Sequence, residues 1–133
     1  MAKYVMIPGT YTAGQDIPLR GTILTGGGSQ FHEPDSPIVQ LKGSGCPRNP
    51  ARYNVNVGAT FTAAAAAPLQ AALIQDGIRV TAGLLAAVPA AIGDVITVSV
   101  PNEVSAADTS RVSVRAVSTV TITEGAVVIH RTA

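Results

Sequence analysis

The sequence has little charge, few aromatic residues and a single cysteine. Of its 133 residues 13% are charged, two are phenylalanine, three are tyrosine and none is tryptophan. Typical soluble domains carry about 25% charged residues. With so few charged residues, the chain has too little polar surface to face water on all sides. We therefore expect part of the exterior to be covered by copies of the chain or by a larger particle. The lone Cys46 excludes an internal disulfide and a multi-cysteine zinc site.

The charges that are present form no patch of one sign. The net charge is +1, and the basic and acidic residues are scattered along the chain, which argues against nucleic acid and anionic membranes as partners. Pro8, Gly9 and Asp16 interrupt the region where a signal peptide needs an apolar run, and no later segment reaches the length of a bilayer span. We therefore expect a protein that is made without a signal peptide and kept as a soluble protein.

Short runs of Val, Ile, Thr and Leu recur between clusters of Gly, Pro, Asn and Asp. This pattern is typical of many short strands joined by turns, and it predicts an all-β, antiparallel two-sheet sandwich of about eight to ten strands. One core is the default at this length. The predicted strands are Tyr4–Met6, Ile17–Leu24, Ile38–Lys42, Arg52–Thr62, Leu69–Gln75, Ile78–Thr81, Val95–Val100, Arg111–Val117, Val120–Thr123 and Ala126–Arg131.

Turn and breaker residues connect these strands. Asp76-Gly77 predicts a type I′ hairpin turn, because both residues tolerate the positive φ that the turn requires. Ala63–Ala67 is too short for a helix before Pro68, so we interpret it as a strand end and a loop. A helix over Leu84–Ala91 is an alternative that Pro89 and Gly93 disfavour. The polar segments Thr25–Pro37 and Gly43–Pro50 are predicted surface loops.

The last strand is apolar on both faces, since Ala126, Val127, Val128 and Ile129 do not alternate with polar residues. A strand of this kind is covered on both sides. One side would meet the opposing sheet and the other a neighbouring subunit. We therefore expect a subunit interface on the outer face of this sheet. The predicted interface residues are Tyr53, Val55, Val57, Val127, Val128 and Ile129.

Four segments together carry a resemblance to a known fold family: Ser36–Gly43, Ala51–Val57, Ile74–Gly77 and Val127–Arg131. In this order they resemble the tumour-necrosis-factor-like trimeric jelly roll. They are similar, more narrowly, to small proteins of gut bacteria and their phages that include capsid-decorating and head-fibre proteins. The resemblance covers residues 15 to 131. It implies a ten-stranded jelly roll and a homotrimer packed along small apolar residues, although this chain has fewer aromatic residues than the wider superfamily places at the trimer axis.

The resemblance and the low charge give a non-enzymatic structural protein as the first hypothesis: a trimeric subunit on the capsid surface of a phage virion, as a decoration or head-fibre protein. Residues 1–14 would form an arm that docks on the major capsid protein or another virion protein, and residues 15–133 the jelly roll. The docking residues would be Tyr4, Val5, Met6 and Ile7. The alternative is a module that binds a cell-surface glycan or receptor, with a ligand loop that contains Phe31, His32, Glu33 and Asp35.

Neither a cofactor nor catalytic chemistry is indicated. Pro34 breaks the spacing of His32, Glu33 and Asp35, so a solvated loop is favoured over a metal site. Cys46 lies between Gly45 and Pro47 without the cations or helix N-terminus that activate a thiol, which makes a Cys–His pair with His32 or His130 a weak alternative. The glycines at 26–28 lack the lysine and the strand-to-helix setting of a phosphate-binding loop. We expect no enzyme.

Overall fold

The computed structural model describes residues 2–22, 29–63 and 67–132, and these form eleven strands in two antiparallel sheets. Sheet A has the strand order β3-β1-β11-β6-β9, and β2 also pairs with β11. Sheet B has the order β4-β5-β10-β7-β8. The strands are β1 (Ala2–Met6), β2 (Gly9–Tyr11), β3 (Leu19–Thr22), β4 (Gln30–Phe31), β5 (Val39–Leu41), β6 (Ala51–Thr62), β7 (Leu69–Gln75), β8 (Ile78–Ala87), β9 (Val95–Ala106), β10 (Ser110–Ala116) and β11 (Val120–Arg131).

From β5 onward the chain crosses between the sheets, with the β7–β8 hairpin staying in sheet B. This winding is that of a jelly roll, which confirms the predicted fold class. The predicted turn is also confirmed: Gln75 pairs with Ile78, and Asp76 and Gly77 have φ values of 51° and 84°. The Asp76 carboxylate accepts hydrogen bonds from the Arg111 amide at 2.9 Å and the Ser110 hydroxyl at 3.0 Å, so the hairpin is tied to β10.

Three segments differ from their predicted form. The strands predicted at Val120–Thr123 and Ala126–Arg131 are one strand, which a bulge between Ile122 and Glu124 keeps paired with β6. The helical alternative over Leu84–Ala91 is wrong, because β8 continues to Ala87 against β7. The loop predicted at Thr25–Pro37 contains the short strand β4, while residues 23–28, like 64–66 of the alanine run, lie outside the described residues.

The core lies between the sheets and is built from alternate residues of each strand. In β6 the side chains of Tyr53, Val55, Val57 and Phe61 are all fully buried, and the intervening residues face outward. Tyr4, Met6, Leu41, Leu73, Leu85, Ile122 and Ile129 complete the largest buried side chains around them. Each contributes about 1.5–3 kcal/mol relative to an exposed position. The many core alanines and valines let the two sheets pack closely.

Gly43 marks a place where two backbones approach each other. A Cβ at this position would lie inside van der Waals contact with the carbonyl carbon and oxygen of Ala107, which cannot move aside as a flexible side chain could. We expect Gly43→Ala to lower the free energy of unfolding by about 1–3 kcal/mol through overpacking. Gly9→Ala is the control, since its Cβ would meet only the Tyr11 ring at ordinary distances. Urea unfolding checks both; equal stability of the two variants would contradict the close approach.

Candidate assembly surfaces and ligand face

The outer face of sheet A is a shallow concavity without large side chains at its centre. Register places Gly58 between Ala126 of β11 and Ser99 of β9, so the middle of the face is a row of small residues. A cavity of about 510 Å³ lies over this row. The adjacent rows across β11, β6 and β9 are Val128–Asn56–Pro101 and Glu124–Thr60–Thr97. Charges lie toward the margins of the face, at Lys3, Arg20 and Glu124.

The edge formed by β8 and β9 differs from this concave face, because large apolar side chains project from it. Val88, Ile92 and Val95 project there and are 78%, 73% and 67% exposed. Between the two edge strands, Val80, Ile96, Val98 and Val100 are only partly buried although they pack against the core. The sandwich is therefore open along this edge, where apolar side chains reach solvent.

Charge is almost absent from the segment that builds this edge. Between Arg79 and Glu103 the sequence contains one charged residue, Asp94. Its carboxylate accepts hydrogen bonds from the backbone amides of Ala90 and Ala91, each at 3.0 Å, so it stabilises the turn between β8 and β9. The edge is consequently an apolar strip with its single carboxylate engaged locally.

The predicted interface residues are mostly not on the surface. Tyr53, Val55, Val57, Val127 and Ile129 point into the core of the same chain and are at most 2% exposed. The alternation of β11 explains this, since Val127 and Ile129 share the inward face with their partners Val57 and Val55. Of the six predicted residues, Val128 alone lies on the outer face of sheet A, half-buried beside Asn56.

The residues predicted to dock on a capsid are part of the sandwich. Strand β1 pairs with both β11 and β3, and the Tyr4 and Met6 side chains are buried in the core. The Tyr4 hydroxyl donates a 2.8 Å hydrogen bond to the Gln30 side chain. Val5 and Ile7 are partly buried. Residues 2–11 are therefore structural elements of the domain, and the separate arm predicted over 1–14 is wrong for them.

The predicted ligand-loop residues do not converge on one point. The His32 ring packs edge-on against Tyr4, with 5.0 Å between ring centroids, and its Nε2 donates to the Ser36 carbonyl at 2.7 Å. His32 Nδ1 is buried and has no hydrogen-bond partner among the described residues. Glu33 and Asp35 are exposed, and no group of three or more metal-ligating side chains occurs within the described ranges. His32 thus fixes the loop to the core.

Tyr53 ties the two predicted polar loops together at their bases. Its hydroxyl donates to the backbone carbonyls of Lys42 at 2.6 Å and Ser29 at 3.2 Å. Burial raises the pKa of the Tyr53 phenol, against the opposing effect of the nearby Arg131 cation. The hydroxyl therefore stays protonated and keeps donating. This contact places residues 29 and 42 at the same end of the sandwich.

Phe31 belongs instead to a row of outward side chains on sheet B. Register pairs Phe31 of β4 with Gln40 of β5, and Gln40 with Arg111 of β10. Phe31 is 57% exposed, whereas the other aromatic residues, Tyr4, Tyr11, Tyr53 and Phe61, are buried. Sequence reasoning found Phe31 but missed Gln40 and Arg111, because their positions beside it depend on strand pairing.

The strand order and winding define the class of this protein as a two-sheet jelly roll. No protein-family model and no curated protein sequence matches the chain. Solved structures match its fold. The globular domain of zebrafish complement 1qA protein aligns with a TM-score of 0.71 at 8% identity, over 99% of this chain and 100% of that one.

Murine APRIL at pH 5.0 aligns with a TM-score of 0.66 at 9% identity, over 95% of this chain and 97% of that one. The same protein at pH 8.5 gives 0.63 at 9% identity over the same shares. At these identities the likeness establishes the fold alone. Within the described residues, no helix of the length and apolar character needed to cross a membrane is found.

Proposed function

We propose that this chain is a non-enzymatic structural subunit that assembles as a homotrimer, with the β8–β9 edge of one copy seated in the concave face of sheet A of the next. The observation that carries the proposal is the apolar edge. Three large aliphatic side chains are at least 67% exposed there, and the segment's one carboxylate is already bonded to its own turn. Covering such an edge removes apolar area from water.

The concave face has the shape and chemistry to receive this edge. The small side chains of Ala126 and Ser99 beside Gly58 leave room for projecting aliphatic groups, and Val5 and Val128 add apolar surface next to them. Lys3 and Glu124 at the margin remain free to meet water or polar rim groups. Both surfaces belong to every copy, so one chain supplies a complementary pair.

An interface between two different surfaces of the same protein is heterologous, and it forms a closed ring when the rotation between copies closes. The resemblance to trimeric jelly rolls favours three copies in that ring. The same resemblance and the shortage of charge support a virion as the setting, with the subunit on a phage capsid surface. Mass spectrometry of purified virions, together with the identity of the neighbouring genes, tests that setting.

The trimer is tested by the mass of the native protein in solution. We expect sedimentation equilibrium at micromolar concentration to give about three times the chain mass of 13.5 kDa. The physical reason is that an edge of this apolar character is unfavourable in water as a free surface. A mass that stays at one chain up to the highest soluble concentration would overturn the proposed assembly.

The alternative function, a module that binds a glycan or receptor, is favoured by one observation. Phe31 is the exposed aromatic side chain of the described residues, and it lies on an edge strand beside polar neighbours. Aromatic rings that remain exposed on a monomer serve as binding platforms, because they combine a large apolar area with few rotatable bonds.

A further inference from the structure

Three small cavities line up along the outer face of sheet B and share their walls. The first, of about 110 Å³, is lined by Phe31, Gln40 and Lys42 among others. The second, of about 160 Å³, has Phe31, Gln40 and Arg111 in its wall. The third, of about 360 Å³, begins at Arg111 and Ile38. Since each neighbouring pair has residues in common, they form one groove that crosses β4, β5 and β10.

The row Phe31–Gln40–Arg111 forms the centre of this groove. Directly paired residues of adjacent strands have their Cβ atoms about 4.5–5.5 Å apart on the same face. The ring and the guanidinium are therefore separated by about two interstrand spacings, roughly 10 Å, with the amide between them. An aromatic surface, an amide and a cation lie in line over about the length of a disaccharide.

The cation in this row is not committed to the protein. No carboxylate pairs with the Arg111 side chain in the described parts of the chain, where the salt bridge present joins Arg115 to Asp16 at 2.9 Å. The Asp76 carboxylate meets the Arg111 backbone amide rather than its guanidinium. Lys42 adds a second positive charge at the Phe31 end of the groove. Glu33 lies on the wall of the middle cavity, and the third cavity has two further acids, Asp16 and Asp76. Asp16 is paired with Arg115, and Asp76 is bonded to Ser110 and to the Arg111 amide.

From this arrangement we infer that the sheet B groove binds a carboxylate-bearing saccharide. Phe31 would stack on the apolar face of one sugar ring. Gln40 would hydrogen-bond hydroxyl groups, and the Arg111 guanidinium would hold a ring carboxylate with two parallel hydrogen bonds. A shallow polar groove with a single aromatic ring suits a sugar better than a protein segment, which would bury several apolar side chains.

This inference gives the alternative function a site and a ligand class, and it does not depend on assembly. The groove lies at the β4–β5–β10 side of sheet B, whereas the apolar strip is at the β8 edge, the opposite end of the same sheet. The concave face belongs to sheet A. Within the part of the chain that the structure describes, neither proposed contact surface therefore overlaps the groove.

The test uses isothermal titration of the full chain with tetragalacturonate, its methyl ester, sialyllactose, lactose and a short polyglutamate. We expect saturable binding of at least one acidic saccharide, at least tenfold tighter than its uncharged counterpart, and no comparable binding of polyglutamate. Arg111→Gln should remove that preference by weakening the acidic ligand roughly tenfold or more. Phe31→Ala should weaken the acidic saccharide by a similar factor, because stacking is lost.

Arg79→Gln is the matched control, because Arg79 is exposed on β8 outside the groove, and it should bind like the original chain. Circular dichroism and native mass of each variant separate loss of the site from loss of the fold or the assembly. Any of four results overturns the inference. They are that no acidic saccharide binds, that the methyl ester binds as tightly as the acid, that polyglutamate binds as tightly as the acidic saccharide, or that Arg111→Gln and Phe31→Ala bind the acidic saccharide as the original chain does. None of these results alters the mass expected for the trimer.

Discussion

Val127→Asp should unfold this protein, whereas its neighbour Val128→Asp should leave it folded but monomeric. Val127 is 2% exposed and faces Val57 across the β11–β6 ladder inside the core. A carboxylate there is buried without a partner, which costs more than about 4 kcal/mol, a large part of the 5–15 kcal/mol that stabilises a typical domain. Val128 points to the outer face of sheet A, where water can solvate the new charge in a single chain.

Two measurements distinguish the variants. Circular dichroism and urea unfolding report the fold, and sedimentation equilibrium reports the mass. For Val128→Asp we expect a native spectrum at the mass of one chain, and for Val127→Asp an unfolded or insoluble product. Val128→Ala is the control that shortens the side chain without adding charge. A Val128→Asp protein that keeps the oligomeric mass would show that sheet A is not an assembly surface.

The edge should respond in the same way to a charge. Ile92 is 73% exposed in the connection between β8 and β9, so Ile92→Asp should not disturb the monomer, but it would place a carboxylate in the proposed apolar contact. We expect the trimer to dissociate, with an increase of at least about 100-fold in its apparent dissociation constant for a loss of about 3 kcal/mol. Val117→Asp is the matched control, since this 38% exposed valine follows β10 and is not part of the edge.

Mixing the two assembly variants tests the pairing of edge with face directly. The Ile92→Asp chain retains an intact face, and the Val128→Asp chain retains an intact edge. In a heterologous interface these intact surfaces fit each other, so the 1:1 mixture should form a heterodimer although each variant alone is monomeric. One contact in place of three makes this complex weak, and it requires high protein concentration. A mixture that stays monomeric at every concentration would refute edge-to-face assembly.

Strand positions were largely predictable because their cause is local. Alternation over Arg52–Thr62 and the Asp76-Gly77 turn fix β6 and the β7–β8 hairpin from neighbouring residues alone, and the structure has both. The N-terminal segment was misjudged for a nonlocal reason. Its pairing with β11, more than 120 residues away, leaves no signal in the segment itself.

The surfaces were harder to predict than the strands. The apolar character of β11 indicated coverage on two sides, but which side each residue faces follows from its register with β6. The low charge between Arg79 and Glu103 was visible in the sequence. What this low charge indicates could not be read from the sequence, because only the fold shows that β8 and β9 are the edge strands of the two sheets. The row through Phe31, Gln40 and Arg111 joins three segments, so no single stretch of sequence contains it.

The position of the groove at the far end of sheet B from β8 has a consequence for how tightly the assembled protein would hold a polymer. If three copies form the proposed ring, it would display three such sites on one rigid body, and a long polysaccharide that leaves one site would be retained by the others. Binding at the second and third sites is then intramolecular and occurs at a high effective concentration of the ligand. The overall affinity rises by about 10²–10⁴ over that of one site without any new contact. A site too weak to matter in a lone chain becomes a durable attachment once it is repeated.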